Sequence, residues 1–381
     1  MQNDKNFDDI RPYTNEEMVA AMPFVASTGY LQQVVRYASA DLTEQQIQDR
    51  ICSCVSIKDF IGKIAYPAVS RLLENTSKGL TFEGLDKLSK DKGYVFLSNH
   101  RDIVMDSVLL NLGLFARDMP VAQSAIGDNL VPDRELLTIS KINKNFVVQR
   151  SLPPRETLEF SLRLSQYIGH VIHDIGDNVW LAHREGRAKD GDDRTYPGVI
   201  KMLAMAAEGD ILDYLKSLHI VPMAISYQWD ATDALKLREL LARAKGIKYV
   251  KAPGEDLHSI ITGIAGRKGR IHIAVGKPLE EELDALRPMG NATKQFRAVC
   301  SLVDTAIHRL YKLFPTNYVA YDMLYDTERY AANYSSVEKE EFIDRVENLV
   351  ATGADEKMTR QIVLRMYANP VINKIEAEND K

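Results

Sequence analysis

Three cysteines in 381 residues, Cys52, Cys54 and Cys300, are too few and too odd a set for a disulfide framework. A Cys-x-Cys with no further ligands beside it does not make a metal site, and none is expected. Long apolar runs are missing as well. Stretches such as 94–97 and 221–225 fall far short of the roughly 18 residues a membrane-spanning helix needs. The opening residues carry neither a basic stretch nor an apolar core of the kind that makes a leader, so a cytoplasmic protein is expected. A basic excess is also absent. Lys and Arg number 48 against 53 Asp and Glu, a net charge of −5, which speaks against nucleic acid as a partner. Any anion site must therefore be local.

What the chain does have is the composition of an ordinary globular protein, 45% hydrophobic and 27% charged. Its length suits two domains, or one with helical additions. Residues 13–75 read as helices. Asn15-Glu16-Glu17 and Thr43-Glu44-Gln45-Gln46 put capping residues and acids at helix starts, and three helices are expected to pack as a bundle. From 94 to 279 short apolar strands alternate with helical patterns, which predicts a mostly parallel sheet covered on both faces. Strands are expected at 94–98, 120–123, 146–149, 179–182, 219–226 and 270–275, with helices at 154–173 and 196–207. Past Pro278 the pattern turns helical again, at 296–313, 337–349 and 357–367. The expected fold is α/β, a mostly parallel central sheet flanked by helices. Its divisions are an N-terminal helical domain 1–88, the sheet domain 89–290 and a C-terminal helical extension 291–381.

The stretch Tyr94-Val-Phe-Leu-Ser-Asn-His-Arg-Asp-Ile-Val-Met-Asp106 organises the rest. A buried-strand signal runs into His100, a polar corner and the start of a helix. Strand ends of this kind lie at the carboxyl edge of a parallel sheet, where open α/β folds keep their ligands. His100 held by Asp106 can serve as a general base. The plainer reading is a capping histidine and an aspartate at the positive end of a helix.

Three more blocks fall at expected strand ends. Residues 145–150 deliver Arg150 to the sheet edge, where a guanidinium can grip phosphate or carboxylate, or else make a surface salt bridge. Residues 179–191 end a strand in a turn holding Glu185 and Gly186, with Arg184, Arg187 and Lys189 around it and Arg194 following. So dense a set of cations can form an anion pocket or simply a solvated face. Residues 219–229 form an apolar strand interrupted by Pro222, which normally confines a strand to an edge or a bulge. It could line an acyl-chain site or belong to the core.

Taken in order, the four blocks resemble the glycerol-3-phosphate and lysophosphatidic acid acyltransferase family. Asn99-His100 with Asp106 is similar to its Asn-His-x4-Asp motif, and Asn145 with Arg150 to Gly-x4-Arg. Glu185-Gly186-Arg187 is similar to Pro-Glu-Gly-Thr-Arg-Ser, and Val221-Pro222 to its apolar Val-Pro block. Five residues, not four, separate His100 from Asp106. In a continuous helix the extra one would swing the carboxylate by about 100°, so the corner must absorb it. Asp102, an expected N-cap, is the alternative partner for His100. Asn145 stands where the family has Gly, Arg187 where it has Thr and Ala188 where it has Arg, with Lys189 as the substitute cation.

The resemblance implies an O-acyltransferase of phospholipid synthesis, in which His100 takes a proton from an acceptor hydroxyl as that hydroxyl attacks an acyl thioester. Arg150 and Arg187, with Lys189 as a candidate, would hold the acceptor's phosphate, Glu185 beside Gly186 would hydrogen-bond acceptor hydroxyls or order the cations, and Pro222 would help shape the acyl-donor side and an oxyanion environment. The donor would be acyl-acyl carrier protein or acyl-CoA, with no metal or bound cofactor. The N-terminal helical domain looks like that of the soluble glycerol-3-phosphate enzymes and favours glycerol-3-phosphate as acceptor. A lysophospholipid or lyso-amino-lipid acceptor is the alternative, with peripheral contact at the inner face of the membrane. A catalytically silent acyl-carrier or lipid-binding relative is the reading from another class.

Overall fold

The structure, a computed structural model, describes residues 7–150, 152–352 and 355–379. The opening residues 1–6, read above for a leader, lie outside them. Seven strands form one mostly parallel sheet: β1 (Ser77–Glu83), β2 (Val95–Ser98), β3 (Gln123–Gly127), β4 (Asn145–Val148), β5 (Val179–Ala182), β6 (Ile220–Tyr227) and β7 (Gly269–Val275), in the order β1-β7-β6-β2-β5-β3-β4. The chain divides into two compact units. One takes residues to 75, 89–95 and 107–181, the other 76–88, 96–106 and 182 onward.

In the first unit β4, β3 and β5 pair in parallel. Its leading helices begin where capping chemistry places them. Thr14 and Thr43 each accept from the backbone three residues on, while Glu17 and Gln46 reach back to complete the boxes. The first cap is Thr14, with Asn15 already inside the helix. Apolar stripes from helices Asn15–Ala26, Gly29–Ala38 and Glu44–Cys52 bury Met18, Met22, Leu31, Val35, Ile47 and Ile51 in one cluster. Two further segments, Ile57–Phe60 and Tyr66–Thr76, extend this helical part beyond the three helices expected. Here Glu17 accepts from Arg11, whose guanidinium pulls its carboxyl down to about 2.

In the second unit β1 runs parallel to β7, and β6 is antiparallel to β7. β1 lies past residue 75 but inside residues 1–88, expected as a helical domain, so the sheet begins before residue 89. β6 is internal rather than an edge. Pro222 lies one residue before the registered β6–β7 pairs begin at Met223; its carbonyl accepts from Gly276 N at 2.9 Å, and with no N–H it cannot return that bond, so the ladder ends there. The C-terminal helices Pro315–Tyr325, Ser336–Val350 and Glu356–Asn379 share a core with Trp229 and Leu237, built on Val319, Phe342, Val346 and Met366. They are part of this unit's core rather than an addition to it. The last helix runs through Pro370, past the 367 expected, because Val371 and Ala377 beyond it are buried.

Candidate functional site

The second unit sets its chemistry on the residues that leave β2. Asn99 is buried, and its amide behaves like one more peptide of the strand. Its Nδ2 donates to Ile225 O at 3.0 Å and its Oδ1 accepts from Ile225 N at 2.8 Å. That clamp fixes the backbone one residue before His100. Residues 101–104 then form a corner, and the helix starts at Met105. The extra residue relative to the family motif lies in this corner, so it does not rotate Asp106 around the helix.

Asp106 is fully buried and lies in the first turn, where helix N–H groups and dipole favour a negative charge. Its Oδ2 accepts from His100 Nδ1 at 2.9 Å, Arg101 N at 2.6 Å and Asp102 N at 3.0 Å. Its Oδ1 accepts from the Tyr227 hydroxyl at 2.9 Å. The carboxylate therefore makes Nδ1 the protonated ring nitrogen of His100. Asp102 turns its Oδ1 to the N–H groups of Val104 and Met105, at 3.0 and 2.9 Å, and caps the helix. Of the two aspartates, the ring bond belongs to Asp106. Burial raises the Asp102 carboxyl above its usual range, and neighbouring Asp106 raises it further. Burial and Asp106 likewise lift the Tyr227 phenol well above 10, so it remains a donor.

The corner is held on its other side by charge. The Arg101 guanidinium donates to Asp230 at 3.2 Å and lies 3.6 Å from Asp193. Lys236, almost fully buried, donates to the Arg101 carbonyl at 2.8 Å and to Asp230. Burial pushes the Asp230 carboxyl up, but Lys236 and Arg101 outweigh it and hold it well below the carboxylate range. Burial brings Lys236 down to about 8, against the pull of Asp230. Behind Asp193, the buried His183 bonds Thr195 Oγ1 at 3.1 Å, and that hydroxyl donates to Asp304 at 2.6 Å. Arg101, Asp193, Tyr227, Asp230 and Tyr311 line a cavity of about 30 Å³, room for a water or two.

The remaining sequence candidates divide. Arg187 is buried and donates to Thr232 Oγ1 at 3.4 Å and Ser259 Oγ at 3.0 Å. Lys189 pairs with Glu239 at 3.3 Å, and burial lowers its pKa. Glu185 and Gly186 form an exposed turn, and Gly186 takes a φ of +68° that a side chain would resist. Arg194 pairs with Asp192 and Glu376. Pro222 is buried near the start of β6, five residues before Tyr227, so it is Tyr227 that reaches Asp106. In the first unit, Arg150 is exposed just after β4, its N–H 3.3 Å from Asp128.

Sequence reasoning missed Tyr227, Asp230 and Lys236. One signal pointed to Tyr227: it ends an apolar strand with the same polarity switch that marks His100. Among the described residues no group of three or more His, Cys, Asp or Glu could hold a metal ion. Nor is any helix among them long and apolar enough to cross a membrane.

No family model and no curated protein matches the chain. Among solved structures, it is similar to the crystal structure of the 1-acyl-sn-glycerophosphate (LPA) acyltransferase PlsC from Thermotoga maritima. The identity is 14% and the TM-score 0.37, over 76% of this chain and 92% of that one.

Proposed function

We propose that the chain is an O-acyltransferase that moves a fatty acyl group from an acyl thioester to the hydroxyl of a glycerol-phosphate-type acceptor, glycerol-3-phosphate foremost. The observation that carries this is the His100 ring, held through Nδ1 by a buried carboxylate at the end of β2. The ordered sequence blocks supply the reaction class. In the proposed step His100 Nε2 takes the proton from the acceptor hydroxyl as its oxygen attacks the thioester carbonyl. The C–S bond breaks, and the imidazolium returns the proton to the leaving sulfur. Asp106 orients the ring and stabilises its charged form, and the Tyr227 and backbone donors hold that carboxylate in place. Arg187 and Lys189 are the second unit's nominees for the acceptor's phosphate, and Arg150 is the nominee from the sequence block of the first.

The test is thiol release from acyl-acyl carrier protein and acyl-CoA, run with glycerol-3-phosphate, its 1-acyl derivative and lyso-amino lipids. Acceptor-dependent release is expected for the wild type and a loss of about 10²–10⁴-fold for His100→Ala. No acceptor-dependent release with any of them, or an unimpaired His100→Ala, would overturn the reading.

A further inference from the structure

The helix Glu255–Ala265 has two faces with different neighbours. Its inner face lies on the site. Ser259 Oγ accepts from Arg187 at 3.0 Å, and a Cβ added to Gly263 would come within 2.1 Å of Asp102 Oδ2. Its outer face exposes Leu257 and Ile261, each 56% accessible and one turn apart. The segment leading into it, residues 243–254, carries four cations and no acid in a chain whose net charge is −5. Ile247 and Val250 are interleaved with them, 59% and 77% exposed. Lys251 is tied to Asp256 at 2.6 Å and Arg243 reaches Asp190 at 3.9 Å. No ion pair engages Lys245 or Lys248 among the described residues.

Apolar side chains exposed between unpaired lysines on this loop and helix match the interface of an anionic bilayer, where the chains enter the headgroup layer and the ammonium groups meet phosphates. We propose that residues 243–254 and the outer face of the 255–265 helix are the surface by which this protein rests on anionic lipid. Docking there brings the bilayer to within about one helix diameter, 10–12 Å, of Asp102 and Arg187. A lipid acceptor or product would then enter or leave without crossing open water. This deepens the acyl-transfer reading and rests on it for its purpose, while the binding itself does not depend on turnover.

The experiment is co-sedimentation of the full chain with vesicles of phosphatidylglycerol and phosphatidylcholine, and with phosphatidylcholine alone. Binding is expected only to the anionic vesicles, with release at high salt. Each lysine near such a surface contributes about a factor of five, so Lys245→Gln with Lys248→Gln should weaken binding about 30-fold. Leu257→Gln with Ile261→Gln should weaken it to a similar order. Both pairs are exposed, so far-UV circular dichroism and thiol release with a water-soluble acceptor should be unchanged. A wild type that ignores anionic vesicles overturns the proposal, as do variants that bind them equally well. Variants that keep vesicle binding but lose turnover only with acyl carrier protein would assign the surface to an acidic protein instead, and also overturn it. A chain that binds vesicles yet releases no thiol sinks the acyl-transfer reading and leaves this one standing.

Discussion

Asp106→Asn separates charge from shape at the site. Three N–H donors converge on Oδ2 and one hydroxyl on Oδ1. An asparagine carbonyl at the Oδ2 position keeps the three N–H bonds. Its amide then faces Tyr227, whose oxygen turns from donor to acceptor. All four contacts survive in number, but each now involves a neutral group. A hydrogen bond to a charged partner contributes roughly 1.5–3 kcal/mol against about 1 for a neutral one. Relief of burying the carboxylate offsets part of the difference, and the net cost in stability should be about 2 kcal/mol. Asp106→Ala instead strands two backbone N–H groups and the buried Tyr227 hydroxyl at about 1–3 kcal/mol each, so it should cost at least twice as much. In thiol-release assays over a range of acceptor concentrations, Asp106→Asn should lower kcat by about 10²-fold or more with the acceptor KM unchanged. Urea titrations of both variants give the stability arm. A kcat above one tenth of wild type would refute the assignment of Asp106 as the group that supports the imidazolium. Equal destabilisation by the two substitutions would refute the four-donor account.

Three further outcomes follow from the same corner. Tyr227→Phe removes one charged hydrogen bond in a buried place and should cost about 1.5–3 kcal/mol of stability while lowering kcat less than Asp106→Asn; an unchanged melting curve would count against the bond. Lys236 has a folded pKa of about 8 against 10.5 when exposed, so the unfolded chain holds more protons between pH 8 and 10.5. Stability from this group therefore rises with pH there, and the denaturation midpoint of wild type minus that of Lys236→Met should increase across that window; an unchanged difference would count against the lowered pKa. Gly263→Ala would normally favour a helix by up to about 1 kcal/mol, but its methyl meets the Asp102 carboxylate that caps the neighbouring helix. A net loss of about 1–3 kcal/mol is expected by calorimetry, and a gain in stability would mean that Asp102 can move without consequence.

The fold class was legible because strands buried on both faces carry continuous apolar runs. β2 and β5 lie where such runs predicted them, bounded by polar residues on each side. β1 was not legible. It is an edge strand whose Lys78 and Gly79 are exposed and whose Leu80 and Phe82 are only half buried, so Ser77–Glu83 reads as a weak alternation beside a helix. β3 begins at Gln123, where the expected strand ended. The buried Val121 and Ala122 that drew the prediction forward precede the ladder, next to a proline that cannot donate to it. At the site, the His100–Asp106 pair could be read because its members are local, joined by one corner. Tyr227, Asp230 and Lys236 reach that corner from 121, 129 and 135 positions away. No periodicity within a single segment encodes such meetings; they are fixed by where β6 and the helix after it fall in the sheet order.

The sequence nominated two cations from one turn for the acceptor's phosphate, and their surroundings separate them. Lys189 has Glu239 at 3.3 Å, and burial already disfavours its charged form. Its field on any incoming anion is largely cancelled. Arg187 bonds two hydroxyls, Thr232 and Ser259, and no carboxylate lies within ion-pair distance of it among the described residues. Hydroxyls orient a guanidinium without neutralising it, and in a buried setting an uncancelled charge acts over a longer range. A field that attracts the acceptor equally in the ground and transition states appears in KM, not in kcat. Arg187→Gln should therefore raise the glycerol-3-phosphate KM by about tenfold or more, the equivalent of roughly 1.4 kcal/mol, with kcat within about threefold. Lys189→Gln should move KM by less than about threefold, because the charge it removes was already balanced. If Lys189→Gln has the larger effect, the ion pair with Glu239 opens when the acceptor binds, and Arg187 serves only to fasten the 255–265 helix to the corner.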